Sequence, residues 1–105
     1  MFDTIKKLLG LEKTDYAQLV ADGAIILDVR TKGEYNAGHI RGSVNIPLDK
    51  LSDNLGKFKQ REKTIITCCA SGARSASAKN FLKAKGYSNV YNGGAWPSLN
   101  RKIQS

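Results

Sequence analysis

Apolar residues gather in four short runs, and the stretches between them carry helical spacing. Ala24-Ile25-Ile26-Leu27-Asp28-Val29 is a nearly continuous apolar segment of the kind found in strands buried on both faces. Ser43-Val44-Asn45-Ile46 before Pro47, Thr64-Ile65-Ile66-Thr67-Cys68, and Asn89-Val90-Tyr91 read the same way. Between the second and third runs, Leu48, Leu51, Leu55 and Phe58 recur as an apolar stripe, which predicts a crossover helix. Asp15 to Ala21 predicts a short helix with Asp15 as its N-cap, stopped by Asp22-Gly23. Arg74 to Lys85 places Ala76, Ala78, Phe81, Leu82 and Ala84 in one helix, with lysines in its last turns and Gly86 as its stop. Gly93-Gly94-Ala95-Trp96 predicts a tight turn into a final short helix. At the front, Phe2-Asp3-Thr4-Ile5-Lys6-Lys7-Leu8-Leu9 spaces apolar residues around two lysines as a short amphipathic helix. That helix is expected to pack on its own domain, because one apolar turn and two lysines hold lipid weakly. Strands alternating with helices imply an α/β fold around a small, mostly parallel sheet.

A chain of 105 residues supports one domain, burying roughly 60 to 65 per cent of the surface its unfolded form exposes. Apolar content of 41% and charged content of 25% exclude the disordered and fibrous classes. Charge changes the picture more: 17 Lys and Arg against 9 Asp and Glu give a formal +8, so anions are favoured at some part of the surface. A small anionic substrate or an acidic protein partner fits that balance, as does a scatter of solvated residues such as Lys57, Lys59, Lys63, Lys79 and Lys83. No motif interleaves basic residues with stacking aromatics, so no nucleic-acid partner is expected. Nor does any apolar run approach the ~20 residues that span a bilayer, and no secretory core precedes the domain. Cys68 and Cys69 are adjacent, so a bridge between them would close no useful loop. Free thiols without a transmembrane or secretory segment predict a cytoplasmic protein.

The chemistry concentrates in Thr64 to Ser75, where a buried strand, a small-residue loop and a helix follow in order. The first amides of a helix lack intrahelical partners and sit at the positive end of its dipole, so an anion held in the loop is stabilised twice over. Ala70, Ser71, Gly72 and Ala73 are small enough for the backbone to curl around that anion. A cysteine sulfur at the centre of such a cradle should ionise more readily than a free thiol, and the thiolate is the nucleophile. Side chains alternate along a strand, so Cys68 should point into the packing of the sheet while Cys69 begins the loop. Two other readings use the same residues. Cys68 and Arg74 have the spacing seen in cysteine phosphatases and arsenate reductases, although no His precedes the pair and the Gly is out of place. A vicinal Cys68-Cys69 pair could also serve a binding module that senses oxidants.

Cys69-Ala70-Ser71-Gly72-Ala73-Arg74-Ser75 resembles the active-site loop of rhodanese-like domains. Leu27-Asp28-Val29-Arg30, then Glu34, then Gly38-His39-Ile40-Arg41-Gly42-Ser43-Val44-Asn45-Ile46-Pro47-Leu48 resemble the family's first signature, and Asn92-Gly93-Gly94-Ala95-Trp96 its closing one. The resemblance implies an α/β fold with a five-stranded, mostly parallel sheet flanked by helices on both faces. It implies residues 15–105 as the domain, with residues 1–14 as an N-terminal helical extension. It also implies a thiosulfate sulfurtransferase: Cys69 takes sulfur from an anionic donor as a persulfide and gives it to cyanide or a thiol, with no metal or organic cofactor. Residues 70–75 (Ala70, Ser71, Gly72, Ala73, Arg74 and Ser75) would form the substrate loop, with Asp28 and Arg30 supporting it. His39 is expected to be structural. Ala70 departs from the basic residue that several thiosulfate-using members carry. Arg74 is suited either to an anion or to tying the loop to an acid such as Asp28.

Overall fold

The computed structural model describes residues 13–104. Four strands form one parallel sheet in the order β2-β1-β3-β4: β1 Ile25–Asp28, β2 Val44–Asn45, β3 Ile65–Cys69 and β4 Val90–Ala95. These are the four apolar runs of the sequence, and the fifth strand implied by the family resemblance is not among the described residues. That fifth strand had no apolar run behind it. The amphipathic helix expected over Phe2 to Leu9 lies outside the described residues, as does most of the proposed extension.

Both faces of the sheet are covered. Helix α1, Tyr16–Ala21, and helix α4, Trp96–Gln104, pack Tyr16, Leu19, Val20, Trp96, Leu99 and Ile103 around Ile26, Ile66 and Cys68. Helix α3, Ala73–Ala84, brings Ala78 and Leu82 onto the opposite face with Leu27, Ile65 and Cys69. The local signals for α1 and α3 hold: Asp15 accepts the Gln18 amide at 3.1 Å, and Gly86 follows α3 with φ +94°.

Three elements depart from the sequence expectation. Leu48 to Phe58 forms two 3-10 turns, Leu48–Lys50 and Ser52–Lys57, in place of a crossover α-helix. The apolar stripe is real, since Leu51 and Phe58 are buried and Leu48 and Leu55 pack against them. Pro47 at the entry and the Ser52-Asp53-Asn54 and Gly56 positions disfavour continuous α-helix. Helix α2, Lys32–Ala37, was not anticipated, although Thr31 and Glu34 form a complete capping box at its start. Strand β4 continues through Gly93-Gly94 to Ala95, where a turn was expected. There is no room for a side chain at Gly93: an added Cβ would lie 2.7 Å from Leu99 Cδ2 and 2.9 Å from the Thr67 carbonyl. The glycine therefore serves a close approach within the sheet. Among the described residues, no helix is long and apolar enough to cross a membrane.

Candidate active-site loop

Strand β3 delivers Cys68 and Cys69 to its carboxyl end, with their side chains on opposite faces. Cys68 sits in the cluster of Ile26, Ile40, Ile66 and Leu99, and burial, helped by the nearby Asp28 carboxylate, pushes its thiol up to about 12. Such a thiol stays protonated at neutral pH.

Cys69 meets the start of α3. Gly72 turns the chain with φ +102°, a left-handed conformation natural to glycine, and caps the helix. The turn aims two backbone amides at one sulfur: Gly72 N–H donates to Cys69 Sγ at 2.9 Å and Ser75 N–H at 3.3 Å. Ser75 Oγ lies 3.4 Å from the same sulfur. Burial raises the thiol, but its hydrogen bonding with Ser75 and with the Gly72 and Ser71 amides outweighs it, so Cys69 lies below its ordinary value. Of the two buried cysteines, only Cys69 is placed to hold a negative charge. Ala70, Ser71 and Ala73 are exposed on the outside of the loop, and Gly72 is half-buried.

Arg74 does not reach Asp28. It makes a two-pronged ion pair with Glu34, Nη1 to Oε1 at 2.7 Å and Nη2 to Oε2 at 2.9 Å. The bond from Arg74 holds the Glu34 carboxyl down at about 2, aided by the Thr31 amide, and the carboxylate in turn raises the guanidinium. Glu34 thus caps α2 and clasps α3 with the same side chain. Asp28 has its own partner, Arg30, with Nη2 to Oδ2 at 2.7 Å and Nε to Oδ1 at 2.9 Å. Arg30 also donates to the Gly38 carbonyl at 2.7 Å and lies over the Trp96 ring. Together these contacts fasten the end of β1, beside Cys68, to α2 and α4.

His39 is exposed, with its ring stacked on Tyr35 at 3.7 Å and Nδ1 donating to the Tyr35 carbonyl at 2.7 Å. Those contacts suit a structural histidine. Sequence reasoning missed Asn92, whose Oδ1 lies 2.6 Å from Ser75 Oγ and accepts the Gly94 amide at 2.9 Å. It also missed Glu34 as the partner of Arg74. The signal for Glu34 was its place three residues after Thr31, while Asn92 sat unremarked inside the closing signature.

Residues 12–95 match the model of the rhodanese-like domain. The chain is 32% identical over 69 residues to the thiosulfate sulfurtransferase PspE of Escherichia coli, covering 65% of this chain and 66% of that protein. It is 36% identical over 72 residues to a tRNA uridine(34) hydroxylase of Onion yellows phytoplasma, covering 64% of this chain but 23% of that protein. Among solved structures, the human single-domain sulfurtransferase TSTD1 superposes with a TM-score of 0.68 at 27% identity, over 81% of this chain and 88% of its own.

Proposed function

Because the chain belongs to the rhodanese-like domain family, we propose that it is a sulfurtransferase that carries a sulfane sulfur on Cys69. The observation that carries this reading is the convergence of the Gly72 and Ser75 amides on a single sulfur at the start of a helix. The relatives named thiosulfate sulfurtransferase support the class of reaction.

In the forward half-reaction the Cys69 thiolate attacks the outer sulfur of a donor such as thiosulfate. A Cys69–S bond forms, the donor S–S bond breaks, and sulfite leaves with the bonding electron pair. The terminal persulfide sulfur now bears the negative charge. Cyanide or a thiolate then attacks that sulfur, leaving as thiocyanate or as a new persulfide, and the Cys69 thiolate returns. No electrons enter or leave overall. The loop amides can stabilise the negative charge at both stages, because the charge stays on sulfur within the cradle. Ala70, Ser71 and Ala73 shape the mouth of the loop, and the Asp28–Arg30 pair supports its base. Arg74 acts through Glu34, holding the loop in place with its planar fork. Cys69 has no exposed surface in this conformation. The donor therefore reaches it when the loop around Gly72, or the cysteine side chain, shifts.

The placement of Cys68 opposes the other two readings. A phosphatase-like enzyme needs Cys68 as its nucleophile, yet that thiol is on the far face and pushed up to about 12. A sensor based on a Cys68-Cys69 disulfide needs two sulfurs that β3 points apart.

The test is incubation of the full chain with thiosulfate, mercaptopyruvate or a polysulfide, followed by mass analysis of the peptide holding both cysteines. One added sulfur on Cys69, with one sulfite released per thiosulfate consumed, is the expected result. A chain that gains no sulfur from any of the three donors refutes the reading.

A further inference from the structure

The Ser75 hydroxyl belongs to a fully buried residue and has one proton, yet three acceptors surround its oxygen. Asn92 Oδ1 is 2.6 Å away, the Gly72 carbonyl 3.0 Å and Cys69 Sγ 3.4 Å. The orientation of the Asn92 amide is fixed by its other contacts, since Oδ1 accepts the Gly94 amide at 2.9 Å and Nδ2 faces the Gly72 carbonyl at 3.4 Å. A carbonyl oxygen has no proton to give, so the 2.6 Å contact is a bond donated by Ser75. The shortest contact claims the proton. Ser75 then turns a lone pair to Cys69, suited to accept from the S–H group and unable to donate to a thiolate.

We propose that Asn92 is a positioning residue that competes with the Cys69 sulfur for the Ser75 proton and so leaves the thiolate to the backbone amides of Gly72 and Ser75. Asn92 acts only through Ser75. A thiolate with one fewer charge-assisted hydrogen bond keeps more of its basicity, and with it more nucleophilicity toward a sulfur donor. That consequence rests on the sulfur-carrier reading, but the coupling itself does not. The charged group of α3 within electrostatic reach of the sulfur is Arg74, which Glu34 of α2 holds, while Asp28 and Arg30 at the end of β1 pair with one another. Cys68 faces the other side of the sheet. Changes at Asn92 or Ser75 alter none of these partners.

The experiment is a pH titration of thiolate ultraviolet absorbance on the full chain, with a Cys69→Ser baseline subtracted. It compares the wild type with Asn92→Ala, Ser75→Ala and the double variant. Cys68, pushed up to about 12, contributes nothing near neutrality. Releasing the hydroxyl in Asn92→Ala should raise the thiolate-to-thiol ratio at fixed pH roughly three- to tenfold, the net worth of one typical protein hydrogen bond. In the Ser75→Ala background the same substitution should produce no rise. A ratio that falls or stays level in Asn92→Ala, or a rise that persists without the Ser75 hydroxyl, overturns the proposal. Should Asn92→Ala fail to fold, Ser75→Ala alone decides. A ratio at or above the wild type supports the proposal, and a lower ratio overturns it by revealing a hydroxyl that donated to sulfur. Persulfide formation is scored separately on the same samples, so a chain that couples as expected but takes no sulfur counts against the carrier reading only.

Discussion

Two adjacent, fully buried cysteines are expected to differ in reactivity by orders of magnitude, and the structure gives the size of the difference. At pH 7 a thiol pushed up to about 12 is ionised in roughly one molecule in 10⁵. Cys69 lies below the ordinary thiol value, because hydrogen bonding with Ser75, Gly72 and Ser71 outweighs burial, so it is ionised more often than an ordinary thiol. An ordinary thiol, with a pKa of about 8.5, is already ionised roughly 10³-fold more often than Cys68, and Cys69 departs further in the same direction. Cys69→Ser should therefore reduce thiocyanate formation from thiosulfate and cyanide to the uncatalysed background, with no added sulfur on the protein. Cys68→Ala should keep most of the turnover, since the cradle lies on the other face of β3. Its cost falls on stability: the lost sulfur leaves a gap among Ile26, Ile40, Ile66 and Leu99 worth about 1 kcal/mol. For a domain of this size that lowers Tm by about 4 to 8 °C. Transfer that survives in folded Cys69→Ser, or disappears in folded Cys68→Ala, would refute the reasoning and return Cys68 as the nucleophile.

Glu34→Gln should loosen the loop and slow transfer, and it carries a pH signature. The Glu34 carboxyl is lowered from 4.5 to about 2 on folding, so its contribution is complete above about pH 4.5 and lost as the pH falls through 2; the stability gap between wild type and variant in urea unfolding should close over that window. Arg74→Lys keeps the charge but not the two-pronged fit to Glu34, so a large loss of turnover is expected, and near-normal turnover would leave Arg74 only a point-charge role. Gly93→Ala should cost at least about 2 kcal/mol, because the new Cβ meets the Thr67 carbonyl at 2.9 Å and a backbone oxygen cannot swing aside. An unchanged Tm would contradict that packing. If the +8 charge steers a dianionic donor, kcat/KM for thiosulfate should fall as salt shortens the Debye length from ~30 Å at 0.01 M to ~10 Å at 0.1 M, and a flat profile would reject steering.

The parts of the fold that were legible in the sequence are those decided within a few residues. Buried parallel strands write continuous apolar runs, and all four appear where Ile25, Val44, Ile65 and Val90 mark them. The Asp15 cap and the Gly86 stop are equally local. The stripe of Leu48, Leu51, Leu55 and Phe58 located the burial correctly and misnamed the backbone, because tight 3-10 turns can present the same side chains to the core. At Gly93-Gly94 the glycines signal a turn by composition, whereas the contact with Leu99, Ile66 and Thr67 that requires Gly93 exists only once β4 is laid beside β3.

The same division runs through the candidate site. The cradle's inner wall is local: Cys69, Gly72 and Ser75 lie within six residues of one another, and a strand, a left-handed glycine and a helix start suffice to aim two amides at the sulfur. Its outer supports are not. Arg74 takes its partner from 40 positions earlier and Ser75 from 17 positions later, and for Arg74 the sequence offered a second plausible acid. Asp28 was chemically as good an acid for Arg74 as Glu34, but the buried Arg30 two residues away already occupies it from within the same strand end. Once that pair forms, Glu34, turned outward by the capping box at the start of α2, is the acid left facing Arg74. The anchoring of the loop thus follows from the order in which arginines and carboxylates satisfy one another, which only the packed chain reveals.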